Sequence, residues 1–503
     1  MPKAHLTLDP HFTVGPVNRR LFGSFVEHLG RCVYDGIYEP GHPKADAFGF
    51  REDVADLVRE LGVSAIRYPG GNFVSGYRWE DGVGPHAERP KRLDLAWHST
   101  ETNEVGLDEF SAWTEKVGSE LMYAVNLGTR GVQEALDVLE YANIRSGTRL
   151  SDWRIANGHT EPYGIGMWCL GNEMDGPWQL GHGTAEEYGI LASKTAKAMR
   201  QVDPGLELVV CGSSSAQMPT FGDWERTVLA HTYEDVDYIS CHAYYEEKDG
   251  DLGSFLASAV NMDGFIESVV ATADHVKAVL GSDKTINISF DEWNVWYIER
   301  YQNVDKITGV DNWPVAPRIL EDVYSVADAV VFGNLLISLI RHADRVTSAS
   351  LAQLVNVIAP IMTEPGGAAW RQTTFFPFAE TSRLAQGEAL TLKLSSDTYR
   401  TEQYGEVNIV DAVATHDATT GSTSVFLVNR STDAASEVTV DIRALGGVAV
   451  FSARTLSDAD IYAKNTLAEP ERIGLADNNS AVSSEGTITI TLPPVSWTAL
   501  SLA

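Results

Sequence analysis

The chain has 503 residues, too many for one ordinary core, and 44% of them are hydrophobic, as in a soluble globular protein. Its 69 acidic residues outweigh 38 basic ones, for a formal net charge of −31. That balance argues against a nucleic-acid partner and against anionic membranes or acidic polysaccharides, whereas a neutral sugar is compatible with it.

The opening stretch, Met1 to His5, has no apolar segment behind a basic one, so no signal peptide is expected. Cys32, Cys169, Cys211 and Cys241 lie far apart without metal-ligand spacing and are expected to be free thiols in a reducing cytoplasm. The most apolar segment, Val326 to Ile340, is shorter than a bilayer span and contains Asp328 and Asn334. It is expected to be a buried helix and not a membrane helix.

Up to about residue 360, short apolar runs recur. They are 21–27, 65–68, 121–127, 166–170, 206–211, 238–244, 286–293 and 346–354. Amphipathic stripes separate several of them. Val54, Leu57, Val58 and Leu61 share a face that Gly62 terminates, and Ile266, Val269, Ala273, Val276 and Leu280 share one that Gly281 ends. Thr184 with Glu187 reads as a capping box. Eight strands linked through helical or longer connections predict an α/β fold, a closed (β/α)8 barrel of the TIM type. An open doubly wound sheet is the alternative, but no Gly-x-Gly-x-x-Gly follows the first run. After about residue 385 β-rich runs follow at 390–394, 407–412, 424–428, 438–442 and 487–492, a pattern that predicts a C-terminal all-β sandwich. The expected domains are a catalytic barrel over 15–370 and a sandwich over 371–503, with residues 1–14 adding a strand to the sandwich.

Catalytic groups of such barrels sit at the carboxyl ends of strands. The fourth run ends in Gly171-Asn172-Glu173-Met174-Asp175 and the seventh in Asp291-Glu292-Trp293-Asn294. Two rim glutamates match the needs of glycoside hydrolysis: one acid protonates the leaving oxygen and one carboxylate acts at the anomeric carbon. Their separation sets the stereochemistry, about 5 Å giving retention and a wider gap inversion. Other rim positions offer Glu27 and His28, Arg67, Asn72, Asn126, Asn172, His242, Tyr244, Gln353 and Asn356. A guanidinium at Arg67 beside Glu292 would keep that carboxylate ionised, and Tyr244 is placed to hydrogen-bond it. Trp97, Trp178, Trp293 and Trp296 are candidate platforms for sugar rings.

Together these residues resemble the α-L-arabinofuranosidases of glycoside hydrolase family 51. The likeness runs from Asn18-Arg19-Arg20-Leu21-Phe22-Gly23 and Phe25-Val26-Glu27-His28 through Arg67-Tyr68-Pro69-Gly70-Gly71-Asn72, Gly171-Asn172-Glu173, His242-Ala243-Tyr244 and Asp291-Glu292-Trp293-Asn294 to Gln353-Leu354-Val355-Asn356. The resemblance implies a retaining, exo-acting enzyme with Glu173 as acid/base and Glu292 as nucleophile. Glu27, Asn72, Asn172, Tyr244 and Gln353 would hold an arabinofuranose, with Trp296, Arg67 and His242 around them. It implies no metal or organic cofactor, an intracellular location, an arabinan- or arabinoxylan-derived oligosaccharide as substrate, and a homo-oligomer, a hexamer. The loop 301–317 has no counterpart in these motifs. A β-glycosidase or endoglucanase of the same barrel clan is the alternative activity, and a binding protein that has lost catalysis is a more distant one.

Overall fold

The computed structural model describes residues 1–503. Eight parallel strands close into a barrel: β1 (Gly23–Phe25), β2 (Ala65–Tyr68), β3 (Glu120–Ala124), β4 (Met167–Leu170), β5 (Glu207–Val210), β6 (Tyr238–Tyr245), β7 (Asn287–Val295) and β8 (Val346–Ala352). Each falls on one of the eight apolar runs, and β8 pairs back onto β1 with Ser350 opposite Gly23. Alternate side chains of the strands point inward. Met122, Ala124, Met167, Cys169 and Val209 fill the barrel interior with Val74 and Tyr238. The outward residues join the surrounding helices in a core of 109 buried residues.

The helices end where the local chemistry says they should. Glu52–Leu61 stops at Gly62, whose left-handed backbone (φ 79°) lets its N–H reach the carbonyls of Val58 and Arg59. Thr184 and Glu187 cap Ala185–Val202 reciprocally. The helix Val326–Arg341 is buried at every position from Val326 to Ile340, because it lies between the barrel helices and the sandwich. Its two polar breaks have partners. Asp328 forms a capping box with Ser325. Asn334 accepts from Arg430 Nη2 at 2.6 Å and donates to Asp411 Oδ2 at 2.8 Å, both in the sandwich. Burial penalises the Asp411 charge, but Arg341 and Arg430 outweigh it and hold the carboxyl down at about 2. No helix is long and apolar enough to cross a membrane. All four cysteines are free and buried.

The sandwich pairs a five-stranded sheet, in which Lys3–Thr7 lies between Lys393–Ser396 and Ser436–Asp441, with a seven-stranded sheet centred on Val410–His416, Thr423–Asn429 and Ser496–Leu502. Four details depart from the sequence expectation. The run 390–394 is two strands, Glu388–Leu390 and Lys393–Ser396, which belong to different sheets. The run 407–412 divides in the same way at Ile409, into Gly405–Asn408 and Val410–His416. The N-terminal segment supplies a strand to each sheet, Lys3–Thr7 and Thr13–Pro16. The strand Ser496–Leu502 went unpredicted because all seven of its residues are buried, so it shows no alternation.

Candidate active site

After β4 the backbone turns sharply through Gly171 (φ 93°) and again at Glu173 itself (φ 43°), a left-handed conformation that costs a non-glycine residue of the order of 1 kcal/mol. The turn brings the Glu173 carboxylate into the barrel mouth, where it is buried. In β7 the register with β8 shifts between Phe290 and Trp293, and β6 shifts against β7 between Ser240 and His242. These irregularities let consecutive side chains serve the interior and the site. Asp291 turns down toward Arg67 Nε at 3.6 Å, and Glu292 turns into the mouth.

One oxygen each of Glu173 and Glu292 and one ring nitrogen of His242 lie within 4.8 Å of one another. Glu292 is held by two donors: Arg67 Nη1 to Oε1 at 3.0 Å and the Tyr244 hydroxyl to Oε2 at 2.7 Å. Glu173 has different company. The Trp178 indole N–H donates to Oε2 at 2.6 Å, and His242 Nδ1 meets Oε1 at 2.9 Å. His242 Nδ1 also lies 3.6 Å from Glu292 Oε2, so the ring bridges the two carboxylates.

Burial pushes the Glu292 carboxyl above the usual range, and Glu173 adds to the rise while His242, Arg67 and Tyr244 oppose it. Arg67 was expected to keep Glu292 ionised. The contact is there, but it limits the rise and does not reverse it, because burial of the group weighs more. For His242, burial favours the neutral ring, yet the facing carboxylates Glu292 and Glu173 win and raise its pKa. Burial, Glu292 and Glu173 push the Tyr244 phenol well above 10, which fixes it as a donor.

A cavity of about 870 Å³ opens over these groups. Glu27, Asn72, Tyr244, Trp296 and Gln353 line it with both glutamates. Glu27 accepts from the Trp97 indole at 2.9 Å and the Phe73 backbone N–H at 2.8 Å, and its own N–H donates to Gln353 Oε1 at 3.1 Å. Burial raises the Glu27 pKa well above 4.5 against those two donors, with Glu292 and Asp94 adding to it. Gly71 is required beside it, since a Cβ there would fall 2.3 Å from the Glu27 carboxyl. Asn172 sits one layer down, accepting from Arg67 Nη2 at 2.7 Å and reaching Asn72 Oδ1 at 3.4 Å. Arg67, Asn172 and His242 thus support the cavity wall without being part of it.

Four rim candidates belong elsewhere. His28 bonds the Tyr68 hydroxyl at 2.7 Å, Asn126 closes the turn at Thr129, and Asn356 ties Arg31 to Thr363. Trp293 is fully buried against Phe332 at 4.8 Å between ring centres, so it is a packing residue and not a sugar platform. Trp178, by contrast, is 52% exposed at the cavity edge.

The loop 301–317, unmatched in the motifs but a candidate to shape the leaving-group side, contributes Tyr301, Gln302 and Lys306 to the cavity. It is fastened to the hairpin 92–101 by stacking of Trp313 on His98, 3.7 Å between centres, and by hydrogen bonds from Thr100 to Pro314 and Trp313 carbonyls. Gln403 and Tyr404 of the sandwich also reach the cavity, from sequence with no distinguishing pattern.

Glu173, His242 and Glu292 have the spacing to hold a divalent cation. Both Glu292 oxygens are already engaged, one by a guanidinium, and a cation placed there would sit against the Arg67 charge. The donor set therefore suits proton chemistry better than metal binding.

Two family models match the chain: the α-L-arabinofuranosidase 1 domain over residues 57–252 and the α-L-arabinofuranosidase C-terminal domain over 291–496. An exo-α-(1→6)-L-arabinofuranosidase of Bifidobacterium longum is 60% identical over 99% of this chain and 97% of its own length. An intracellular exo-α-(1→5)-L-arabinofuranosidase of Streptomyces lividans is 61% identical over all of this chain and 76% of its own. The solved structure of a family 51 α-L-arabinofuranosidase from Bifidobacterium longum superposes with a TM-score of 0.96 at 50% identity, covering 100% of both chains.

Proposed function

The chain belongs to the α-L-arabinofuranosidases of glycoside hydrolase family 51, and on that premise we propose how its site works and on what. It releases terminal α-L-arabinofuranosyl units from arabinan- or arabinoxylan-derived oligosaccharides by double displacement. Glu292 attacks the anomeric carbon while Glu173 protonates the leaving oxygen, and Glu173 then takes a proton from water as that water frees the sugar from Glu292. The observation that carries this reading is the unequal company of two close carboxylates. Glu292 faces a guanidinium and a phenol, which stabilise an anion. Glu173 faces His242, a ring that donates or accepts according to its tautomer, and so can sit beside a group that must both lose and regain a proton. The gap of at most 4.8 Å between their oxygens fits the retaining class, about 5 Å, and leaves no room for the water of an inverting enzyme.

Glu27, Asn72, Tyr244 and Gln353 bind the hydroxyls of the terminal arabinofuranose, Asn172 and Arg67 hold them in place, and Trp296 supplies an aromatic wall. No metal or cofactor enters the reaction. The catalytic unit is residues 15–370 and the sandwich 371–503 with the N-terminal segment. The relatives' intracellular names and the four free buried thiols support a cytoplasmic location. We propose further that the chain assembles with copies of itself as a hexamer. Light scattering that returned the 54.9 kDa monomer mass would remove that assignment.

The activity is tested with aryl glycosides and with α-(1→5)- and α-(1→6)-linked arabinofuranosyl oligosaccharides in buffer containing methanol. The expected product is methyl α-L-arabinofuranoside. The β-anomer would overturn retention, and faster release from an aryl β-glucoside would favour the β-glycosidase alternative.

A further inference from the structure

The cavity that holds the carboxylates does not end within the barrel. It continues past Tyr245 and Phe255 to Gln403 and Tyr404, at the tip of the hairpin Thr398–Thr401/Gly405–Asn408 of the sandwich. This tip is built into the segment that follows β6. The Tyr399 hydroxyl donates to the Gly253 carbonyl at 2.8 Å, and the Gln403 backbone N–H donates to Ser254 Oγ at 3.2 Å. Within the turn, the Tyr404 backbone N–H donates to Thr401 Oγ1 at 2.9 Å. A second sandwich residue, Tyr462, donates to the Glu247 carboxylate at 3.1 Å, so the same segment is tied to the sandwich from another side.

The chemistry of this far end is that of a neutral saccharide site. It offers the rings of Tyr404 and Phe255, the Gln403 amide, and the hydrogen-bonded pair Tyr245–Asn261 at 3.1 Å. Its two charged residues, Lys248 and Glu246, neutralise each other at 3.3 Å. A terminal pentofuranose held at Glu27 and Gln353 does not need a wall this far out, whereas the rest of an oligosaccharide does.

We propose that Gln403 and Tyr404 form the outer wall of a subsite for a sugar of the leaving oligosaccharide, so that the sandwich sets the chain-length preference of the barrel's reaction. This rests on the α-L-arabinofuranosidase reading given above. The test is the ratio of kcat/KM for an arabinotriose to kcat/KM for 4-nitrophenyl α-L-arabinofuranoside, whose leaving group is too short to span the cavity. Tyr404→Ala should lower that ratio about tenfold, chiefly through KM for the trisaccharide. Gln403→Ala, at an exposed position that folding does not depend on, should lower it about threefold. Ratios unchanged in both variants would overturn the subsite, as would equal losses on the two substrates. A parent enzyme that fails to cleave the aryl arabinofuranoside would instead overturn the activity on which the subsite depends.

Discussion

The two ends of the barrel use the same chemistry to opposite effect. At the floor, where the strands begin, Arg20 donates to Glu120 from Nε at 2.8 Å and Nη2 at 2.6 Å, and Nη1 binds Glu207 at 2.8 Å. The Tyr238 hydroxyl completes the cluster on Glu207 at 2.9 Å. Donating to these carboxylates raises the Arg20 pKa, and one guanidinium ties together the starts of β3 and β5. At the rim, Arg67 likewise meets Asp291 and Glu292, but a second glutamate faces the pair and the whole set is buried. At the floor one guanidinium serves two carboxylates, and all three side chains are partly exposed. Carboxylates outnumber the guanidinium at the rim as well, but there they are buried: burial raises the Glu292 pKa, and the facing carboxylates raise that of His242. Burial of the carboxylates, more than their number, separates the two ends.

The sharpest way to break this contrast is at the rim. Glu292→Ala should lower kcat on an aryl α-L-arabinofuranoside by roughly 10⁴-fold or more, and no external base should restore it. A rate within a few-fold of the parent would show that the nucleophile lies elsewhere. Glu173→Ala should lose about 10²–10⁴-fold on oligosaccharides and much less on aryl substrates with good leaving groups, where azide should restore turnover. Failure of azide to do so would remove Glu173 from the acid/base role.

Arg67→Met probes the electrostatics directly. Arg67 opposes the rise in the Glu292 pKa, so its loss must push that pKa higher still. Activity is lost on the acid side as Glu292 takes up its proton, so the acid limb of the pH–rate profile should move to higher pH by about one unit or more. A limb that stayed put would mean Arg67 acts by packing alone. The smallest effect belongs to the floor. Arg20→Met should cost about 1–2 kcal/mol, lowering Tm by a few degrees, with kcat and the pH profile unchanged. A shifted pH profile in Arg20→Met would show that the two ends are coupled.

Much of the rim was legible in the residues, because each glutamate follows an apolar run and both runs are strands of one barrel. Asn72, Tyr244 and Gln353 were found by the same rule, position after a strand. The rule failed where a neighbouring residue points the other way along the pleat: Trp293 follows Glu292 directly and packs outward on Phe332. It also failed for His28, Asn126 and Asn356, whose polar groups close turns and join loops. The pairing of Trp178 with Glu173 depends on a loop conformation that spacing does not encode. Gln403 and Tyr404 are more than 100 residues past the last catalytic motif, and only the docking of the sandwich brings them to the cavity. In the sandwich itself, strands that change sheets at 391–392 and at Ile409 look continuous in sequence, because hydrophobicity records burial and not which sheet provides it.

Trp178 has a practical consequence. It is the single exposed tryptophan among twelve, and its indole N–H is bonded to the Glu173 carboxylate. The other eleven are shielded to varying degrees, and although Trp97 and Trp296 also line the cavity, the Trp178 share is the difference from Trp178→Phe. A sugar entering the cavity would dry the Trp178 ring, shifting its fluorescence to shorter wavelength. The enzyme therefore carries its own optical gauge of occupancy, readable without a label and removable by Trp178→Phe.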